Sequence, residues 1–334
     1  MRNSIAKIFS LLLMLGGLQS IAQQATSSSS SVGTSSTGAP IWTEQFPVSN
    51  PAARYGHAMA YDAAEGKVVM FAGMGATGIL HGTFLWNGNN WTQVQPKTSP
   101  SPRYWHSMAY DGAARNVVLF GGFDGNNALN DTWIWNGSNW TQMHPKTIPP
   151  QSILSAMVYD AADDRVVMFG GAYQTAPVND TWIWNGSNWT KEHPAHSPSA
   201  RSGGAIAYDA AKGNVVLFGG ATGTNEVLSD TWVWNGSTWT QMHPAASPSA
   251  RYYFSMSYDA GRGKVMLFGG SDAFGNLLDD TWVWDGSNWT MEFDGSRPIP
   301  RFYQAMTYDS AHGDVVLFGG ADLQRYFGDT FIWK

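Results

Sequence analysis

His57 and His106 lie 49 residues apart, each closing a Tyr-x-His triplet, Tyr55-Gly56-His57 and Tyr104-Trp105-His106. Two imidazoles placed equivalently by a repeat, with His81 between them in the chain, have the chemistry to hold a metal ion or to exchange protons near neutral pH. No carboxylate or cysteine recurs at a spacing that completes a ligand set, so both read as structural, and neither a metal nor a cofactor is assigned. His144, His193 and His243 share one place in the pattern and carry no functional signal. Four acids, Asp124, Glu226, Asp272 and Asp322, stand out of register with the repeat. Cleaving a glycosidic bond would need two such carboxyls at a defined separation, one with a raised pKa. The sequence brings no such pair together, and no catalytic residue is assigned.

These residues sit on a pattern that fills the chain from Ile41 to Lys334. Its second copy reads Met108-Ala-Tyr-Asp111, Val117-Val-Leu-Phe-Gly-Gly122 and Asp131-Thr-Trp-Ile-Trp-Asn-Gly-Ser-Asn-Trp-Thr141. The Phe before the glycine pair, which is Ala72-Gly73 in copy one, recurs at Phe71, Phe120, Phe169, Phe218, Phe268 and Phe318, in steps of 49 or 50 residues. That period belongs to propellers with four short strands to a blade. Strand a ends at Tyr-Asp. Strand b is the β-branched Val-Val-x-Phe run, stopped by two glycines. Strand c is Thr-Trp-Ile-Trp, whose continuous apolar content suits a strand covered on both faces. Asn-Gly pairs such as Asn136-Gly137 are expected to supply the positive φ angles of a tight hairpin into strand d at Trp140 and its equivalents. The sixth copy stops after strand c, while Ile41-Trp-Thr-Glu-Gln-Phe-Pro47 aligns with the strand d of copy one, Asn90 to Pro96. The N-terminal segment is therefore predicted to complete the last blade and close the ring, which removes open sheet edges.

Tyr-Asp, Phe-Gly-Gly, Asp-Thr-Trp and a final Trp, with an arginine before strand a at Arg54, Arg103, Arg201, Arg251 and Arg301, resemble the kelch family of propellers. The resemblance covers residues 41–334 and implies an all-β fold, a six-bladed kelch-type β-propeller with four antiparallel strands per blade. It also implies that strand a lines the central channel. The family holds intracellular adaptor domains, galactose oxidase and bacterial sugar-processing enzymes, so the fold leaves function open.

The residues that follow each arginine diverge: Tyr55-Gly56-His57, Tyr104-Trp105-His106, Ile153-Leu154-Ser155, Ser202-Gly203-Gly204, Tyr252-Tyr253-Phe254 and Phe302-Tyr303-Gln304. Blades five, six, one and two carry aromatics and blades three and four small or aliphatic residues, so the channel mouth is lopsided. An arc of Tyr55, Tyr104, Trp105, Tyr252, Tyr253, Phe302 and Tyr303, with His57, His106 and Glu226, forms the candidate ligand-binding set, suited to a flat sugar ring or a partner's loop. The other reading is that bulky side chains fill a narrow channel. A ligand groove expects Trp105→Ala and Tyr253→Ala to lose binding at little cost in stability, and channel filling expects the reverse. Sixteen of the 17 tryptophans fall in repeat register and read as blade packing, Trp105 being the exception. Asp131, Asp180, Asp230, Asp280 and Asp329 recur before Thr or its equivalent and read as loop-fixing residues bonded to backbone amides or to the arginines. Copy one has Gly82 at this place, and copy three has Ser152 in place of the arginine, so the pairing is not strict.

Arg2 and Lys7, an apolar stretch from Ile8 to Leu18 and a Ser20-Ile-Ala22 cleavage pattern mark residues 1–22 as an expected signal peptide, too short to span a membrane. Residues 23–40 form a Ser/Thr-rich leader expected to be flexible. The chain has no cysteine, hence no disulfide and no lipid-bearing cysteine, and a secreted or periplasmic location is expected. Removing residues 1–22 leaves 17 basic against 25 acidic side chains, a net of −8, which disfavours nucleic acid and anionic membranes as partners. Lack of cysteine also excludes the copper-radical chemistry of galactose oxidase, whose cofactor needs a Tyr-Cys cross-link, and the Ser-x-Asp-x-Gly-x-Thr-Trp box of sialidases is absent. Three functions remain: a binding module for a glycan or an extracellular protein loop, a sugar-modifying enzyme of the periplasmic sialic-acid mutarotase type, or a structural surface-assembly protein. The first is the expectation carried forward.

Overall fold

The computed structural model describes residues 40–334 except 175, 225, 293 and 294, so the expected signal peptide and nearly all of the leader lie outside the described residues. Six antiparallel four-stranded sheets form the blades. In blade two, strands a to d are Ser107–Asp111, Asn116–Phe120, Thr132–Trp135 and Trp140–Met143. The last blade takes its fourth strand from the other end of the chain. Trp42–Gln45 pairs antiparallel with Thr330–Trp333, Trp42 opposite Trp333, as the alignment of the termini predicts. Innermost strands of neighbouring blades touch all the way round, including the first against the sixth.

Strand b lies in the middle of each stack, and its Val-Val-x-Phe run, Val265-Met-Leu-Phe268 in blade five, is buried without a break in all six blades. Strand c is covered on both faces only in blades three and six. Elsewhere at least one middle residue, such as Trp133, is half-buried, because strand c lies nearer the outer rim. One contact, used six times, fixes blade to blade. The indole of each strand d Trp donates to a strand c Thr of the preceding blade, as in Trp140 to Thr83 at 2.8 Å and Trp189 to Thr132 at 2.9 Å. The same indole meets the strand b Phe of that blade, with Phe71 and Trp140 centroids 5.3 Å apart. Trp42 closes the circuit by donating to Thr281 at 2.9 Å and packing 5.2 Å from Phe268. A buried indole N–H with a hydroxyl acceptor adds direction to what is otherwise apolar burial.

The hairpin into strand d differs from the expected two-residue turn. Trp135 pairs with Trp140, so the loop has four residues, and only the glycine, Gly137 at φ 91°, takes a positive φ. Asn136 serves through its side chain: Oδ1 accepts the N–H groups of Ser138 at 3.1 Å and Asn139 at 2.9 Å. This is an Asx turn, which uses Asn for its acceptor oxygen rather than for its tolerance of left-handed backbone.

Candidate functional site

Blades two, four, five and six each hold an arginine–aspartate fork below the channel mouth. Arg103 donates to Asp131 through Nη1 at 2.6 Å and Nη2 at 2.8 Å, and Arg201–Asp230, Arg251–Asp280 and Arg301–Asp329 repeat this geometry. The arginine also donates to the first glycine of the Gly-Gly pair, Gly121 O at 2.9 Å, so it ties the start of strand a to the end of strand b. Burial alone would raise the Asp131 pKa, but the fork, the charge of Arg103 and the Trp133 indole together outweigh it and hold the carboxyl below its ordinary range. Blade three keeps Asp180 without an arginine, and Lys191 from strand d pairs with it at 2.8 Å.

Above these forks the three divergent positions of every blade do three different jobs. The first residue bonds reciprocally to the b-to-c loop, as in Tyr104 N–H to Phe123 O at 3.1 Å and Phe123 N–H to Tyr104 O at 2.8 Å. The second residues, Gly56, Trp105, Leu154, Gly203, Tyr253 and Tyr303, all have left-handed backbone with φ between 57° and 67°. Each N–H donates to the carbonyl of its counterpart in the preceding blade. Trp105 donates to Gly56 at 2.7 Å, Leu154 to Trp105 at 3.0 Å and Gly203 to Leu154 at 3.2 Å. Tyr253 donates to Gly203 at 2.7 Å, Tyr303 to Tyr253 at 2.9 Å, and Gly56 to Tyr303 at 3.0 Å. Six peptide groups thus form a closed hydrogen-bonded ring around the axis. Four of the six are not glycine and hold a conformation that costs an L-residue about 1–2 kcal/mol. Their large side chains stand against one another on the ring.

The structure brings most of the predicted set into one cluster. Tyr104, Trp105, Phe302 and Tyr303 are buried, and Tyr55 and Tyr253 half-buried against them. Tyr253 and Tyr303 stack with centroids 4.0 Å apart, and Trp105 lies 4.4 Å from Tyr104 and 5.8 Å from Tyr303. The faces expected to receive a flat ligand are largely covered by neighbouring rings. Tyr252 stands beside Tyr253, half-buried at 4.3 Å. Glu226 is apart from the cluster, exposed on the b-to-c loop of blade four.

The third residues line a lumen of about 110 Å³ under the ring. His57 and His106 are 6% exposed, and among the described residues neither nitrogen of either ring has a hydrogen-bond partner. The Phe318 and Phe71 carbonyls are close enough to favour the charged forms slightly but do not meet hydrogen-bond geometry. Gln304, the same position in blade six, does reach the corresponding carbonyl, donating to Phe268 O at 2.8 Å. Burial, then the charge of Arg103, pushes the His106 pKa down to about 3. Burial, Arg54 and His106 push His57 well below its ordinary value. Burial raises the phenols too, Tyr104 and Tyr253 to about 12. With imidazoles held neutral and phenols held protonated, no group in the lumen or on the ring titrates near neutral pH, where proton transfer would need it. Among the described residues no three His, Cys, Asp or Glu side chains gather as metal ligands.

Three of the four acids expected to stand out of register are in fact in register, and only Glu226 is not. Asp124, Asp272 and Asp322 each follow the Gly-Gly pair by two residues and cap their own loops. Asp124 Oδ1 accepts the N–H groups of Asn126 at 2.8 Å and Asn127 at 2.7 Å, and Asp322 Oδ1 those of Gln324 and Arg325, both at 2.7 Å. Burial would raise the Asp322 pKa, but those amides and the Arg325 side chain outweigh it and lower the pKa, the wrong direction for a general acid.

What the sequence does not single out is how unevenly apolar surface is spread. Among the described residues ten large hydrophobic side chains are exposed. Eight of them lie on the b-to-c loops and d-to-a crossings of one face; of the other two, Met291 lies in a strand d and only Ile41, bonded to Lys334 where strand c meets strand d in the last blade, lies on the hairpin face. Phe274 is 84% exposed, Leu323 74%, and Phe46 83%. Tyr326 rises over the mouth, 5.2 Å from Tyr55.

The family model described as the KLHDC2/KLHL20/DRC7 Kelch-repeats domain matches residues 80–197 and 185–334. No curated protein matches the chain.

Proposed function

The chain belongs to the kelch-repeat family, and from that premise we propose that it is an exported binding module that grips a protein partner with its loop face. One observation carries this reading: eight of the ten exposed large apolar side chains among the described residues lie on that face, on loops anchored to the central ring, while the hairpin face shows only Ile41. Scattered single hydrophobics need no explanation, but their concentration on the loops of one face marks a contact surface. Phe274, Leu323 and Tyr326 are the proposed anchors. The buried arc of Trp105, Tyr104 and Tyr303 acts as the floor that fixes their loops. Separate side chains on separate loops suit the irregular surface of a protein loop better than the flat face of a sugar. Export rests on the signal pattern of residues 1–22, and N-terminal sequencing of the released protein should read from Gln23 onward.

The test pairs Phe274→Ser with Leu323→Ser and measures capture of partners from the extracytoplasmic fraction beside thermal stability. The double variant should lose capture and keep the melting temperature of the unmodified protein. Capture that survives unchanged would refute the loop face as the contact surface. Binding on a glycan array that also persists in the double variant would place a carbohydrate site elsewhere.

A further inference from the structure

The repeat supplies an internal control for Arg54. Arg103, Arg201, Arg251 and Arg301 each hold an aspartate of their own blade in a two-pronged fork. Arg54 is equally buried, at 2% exposure, and its backbone bonds match theirs: Nε donates to Ala52 O and Nη1 to Ala72 O, both at 2.9 Å. At the place of the aspartate, however, blade one has Gly82, and at the place of the indole that supports it, Phe84. Arg54 forms no ion pair among the described residues, and its Nη2 makes no hydrogen bond. Phe84 offers only its ring face, 4.7 Å from the guanidinium carbon. The other broken pair has been repaired, Asp180 by Lys191; this one has not.

The unpaired fork opens on a cavity of about 460 Å³ walled by Ile79, Leu80 and Phe84, with His81 and Gln93 at its rim. It lies on the loop face, where strands b and c of blade one run on into a long hairpin, Lys67–Gly75 and Gly78–Trp86. Burial lowers the Arg54 pKa to about 10, so the group remains charged at neutral pH and its charge is uncompensated. Residues 23–39 contain no acid, so the leader has no carboxylate to offer it. An aspartate at Gly82 would be strained, because its φ of 108° is a backbone conformation that side chains rarely adopt.

We propose that Arg54 and this cavity form a carboxylate-binding site for an acidic side chain of the partner, with Glu the best fit. The carboxylate would take the two-pronged geometry that four other blades satisfy internally, and the methylenes of Glu would lie along Ile79, Leu80 and Phe84. This deepens the partner-binding reading, on which it rests, by naming a charge the partner must carry. A small probe examines the pocket without the partner, so failure of the pocket and failure of the loop face are separate results.

The probe is glutamate blocked at both ends, N-acetylated and α-amidated, with blocked glutamine as its neutral control. It is titrated at constant ionic strength while the arginine Nε–H signals are followed by NMR, Arg54 being assigned from Arg54→Lys. Blocked glutamate should shift the Arg54 signal saturably and bind at least tenfold more tightly than blocked glutamine, leaving Arg103 and Arg201 unmoved. Gln93→Glu, an isosteric change at an exposed rim position, should place a carboxylate beside the fork and weaken the probe at least tenfold. It serves as the second variant if Arg54→Lys fails to fold. Equal response to both probes, shifts shared by the paired arginines, or an unaltered affinity in Gln93→Glu would each overturn the site. Glucuronate binding more tightly than blocked glutamate would overturn the protein source of the carboxylate.

Discussion

His57 and His106 should make the fold sensitive to mild acid, and the repeat provides the means to remove that sensitivity. Both imidazoles are buried with no hydrogen-bond partner among the described residues, and burial depresses both pKa values, to about 3 for His106. The unfolded chain takes up a proton at each below a pKa of about 6.5, whereas the folded chain does not until far lower pH. Acid therefore favours unfolding: stability from this source is full above about pH 7 and falls with pH toward the folded pKa values. Between pH 7 and 5 the loss is about 2 kcal/mol for each ring and about 4 kcal/mol for the pair, a large part of the ~5–15 kcal/mol that holds a typical domain. Blade six shows the repair, since Gln304 donates to Phe268 O at 2.8 Å from the same position. Urea unfolding at pH 7, 6 and 5 should show His57→Gln/His106→Gln losing about 4 kcal/mol less than the unmodified protein over that range. The comparison cancels other titrating groups, including Asp62, Asp111, Asp160 and Asp209, whose pKa values burial raises and whose contribution runs in the opposite direction with pH. Parallel pH dependences for the two proteins would refute the reasoning.

Trp105→Ala should destabilise the fold by about 3–5 kcal/mol, the usual cost of emptying a buried aromatic site, because the ring is 9% exposed and meets Tyr104 and Tyr303. Denaturant melts check this, and a change under about 1 kcal/mol would show the side chain is not part of the hub. Trp42→Ala should cost a similar ~3–5 kcal/mol in one cooperative transition, since Trp42 both donates to Thr281 and packs on Phe268 at the closure of the ring. A separate early transition confined to the last blade would mean the closure is dispensable to the rest.

The period of the Phe-Gly-Gly repeat and the alignment of Trp42 with Trp91 made the blade number and the ring closure legible, because packing that repeats in space must repeat in sequence. The closed ring of six peptides was not legible. Glycine is the usual signal for left-handed backbone, and only Gly56 and Gly203 carry it; Trp105, Leu154, Tyr253 and Tyr303 hold that conformation because their neighbours impose it. Sequence also could not separate aromatics that bind from aromatics that fill, since the stacking of Tyr253 on Tyr303 depends on angles between blades. Asn136-Gly137 misled for a different reason: the pair suits a two-residue turn, but the Asn side chain and the Trp135–Trp140 pairing select four. Gly82 was visible as a break in the arginine–aspartate pattern. Its consequence, a buried guanidinium facing a cavity, needed the fold.

Site-specific photo-crosslinking tests the central claim most directly. A photoreactive residue at Phe274 on the loop face is compared with one at Ser138 on the hairpin face, each in the full chain in the cell fraction that holds the native protein. The account expects one discrete protein adduct from position 274 and none from 138. Adducts from 138 alone, or indistinguishable adducts from both, would contradict it.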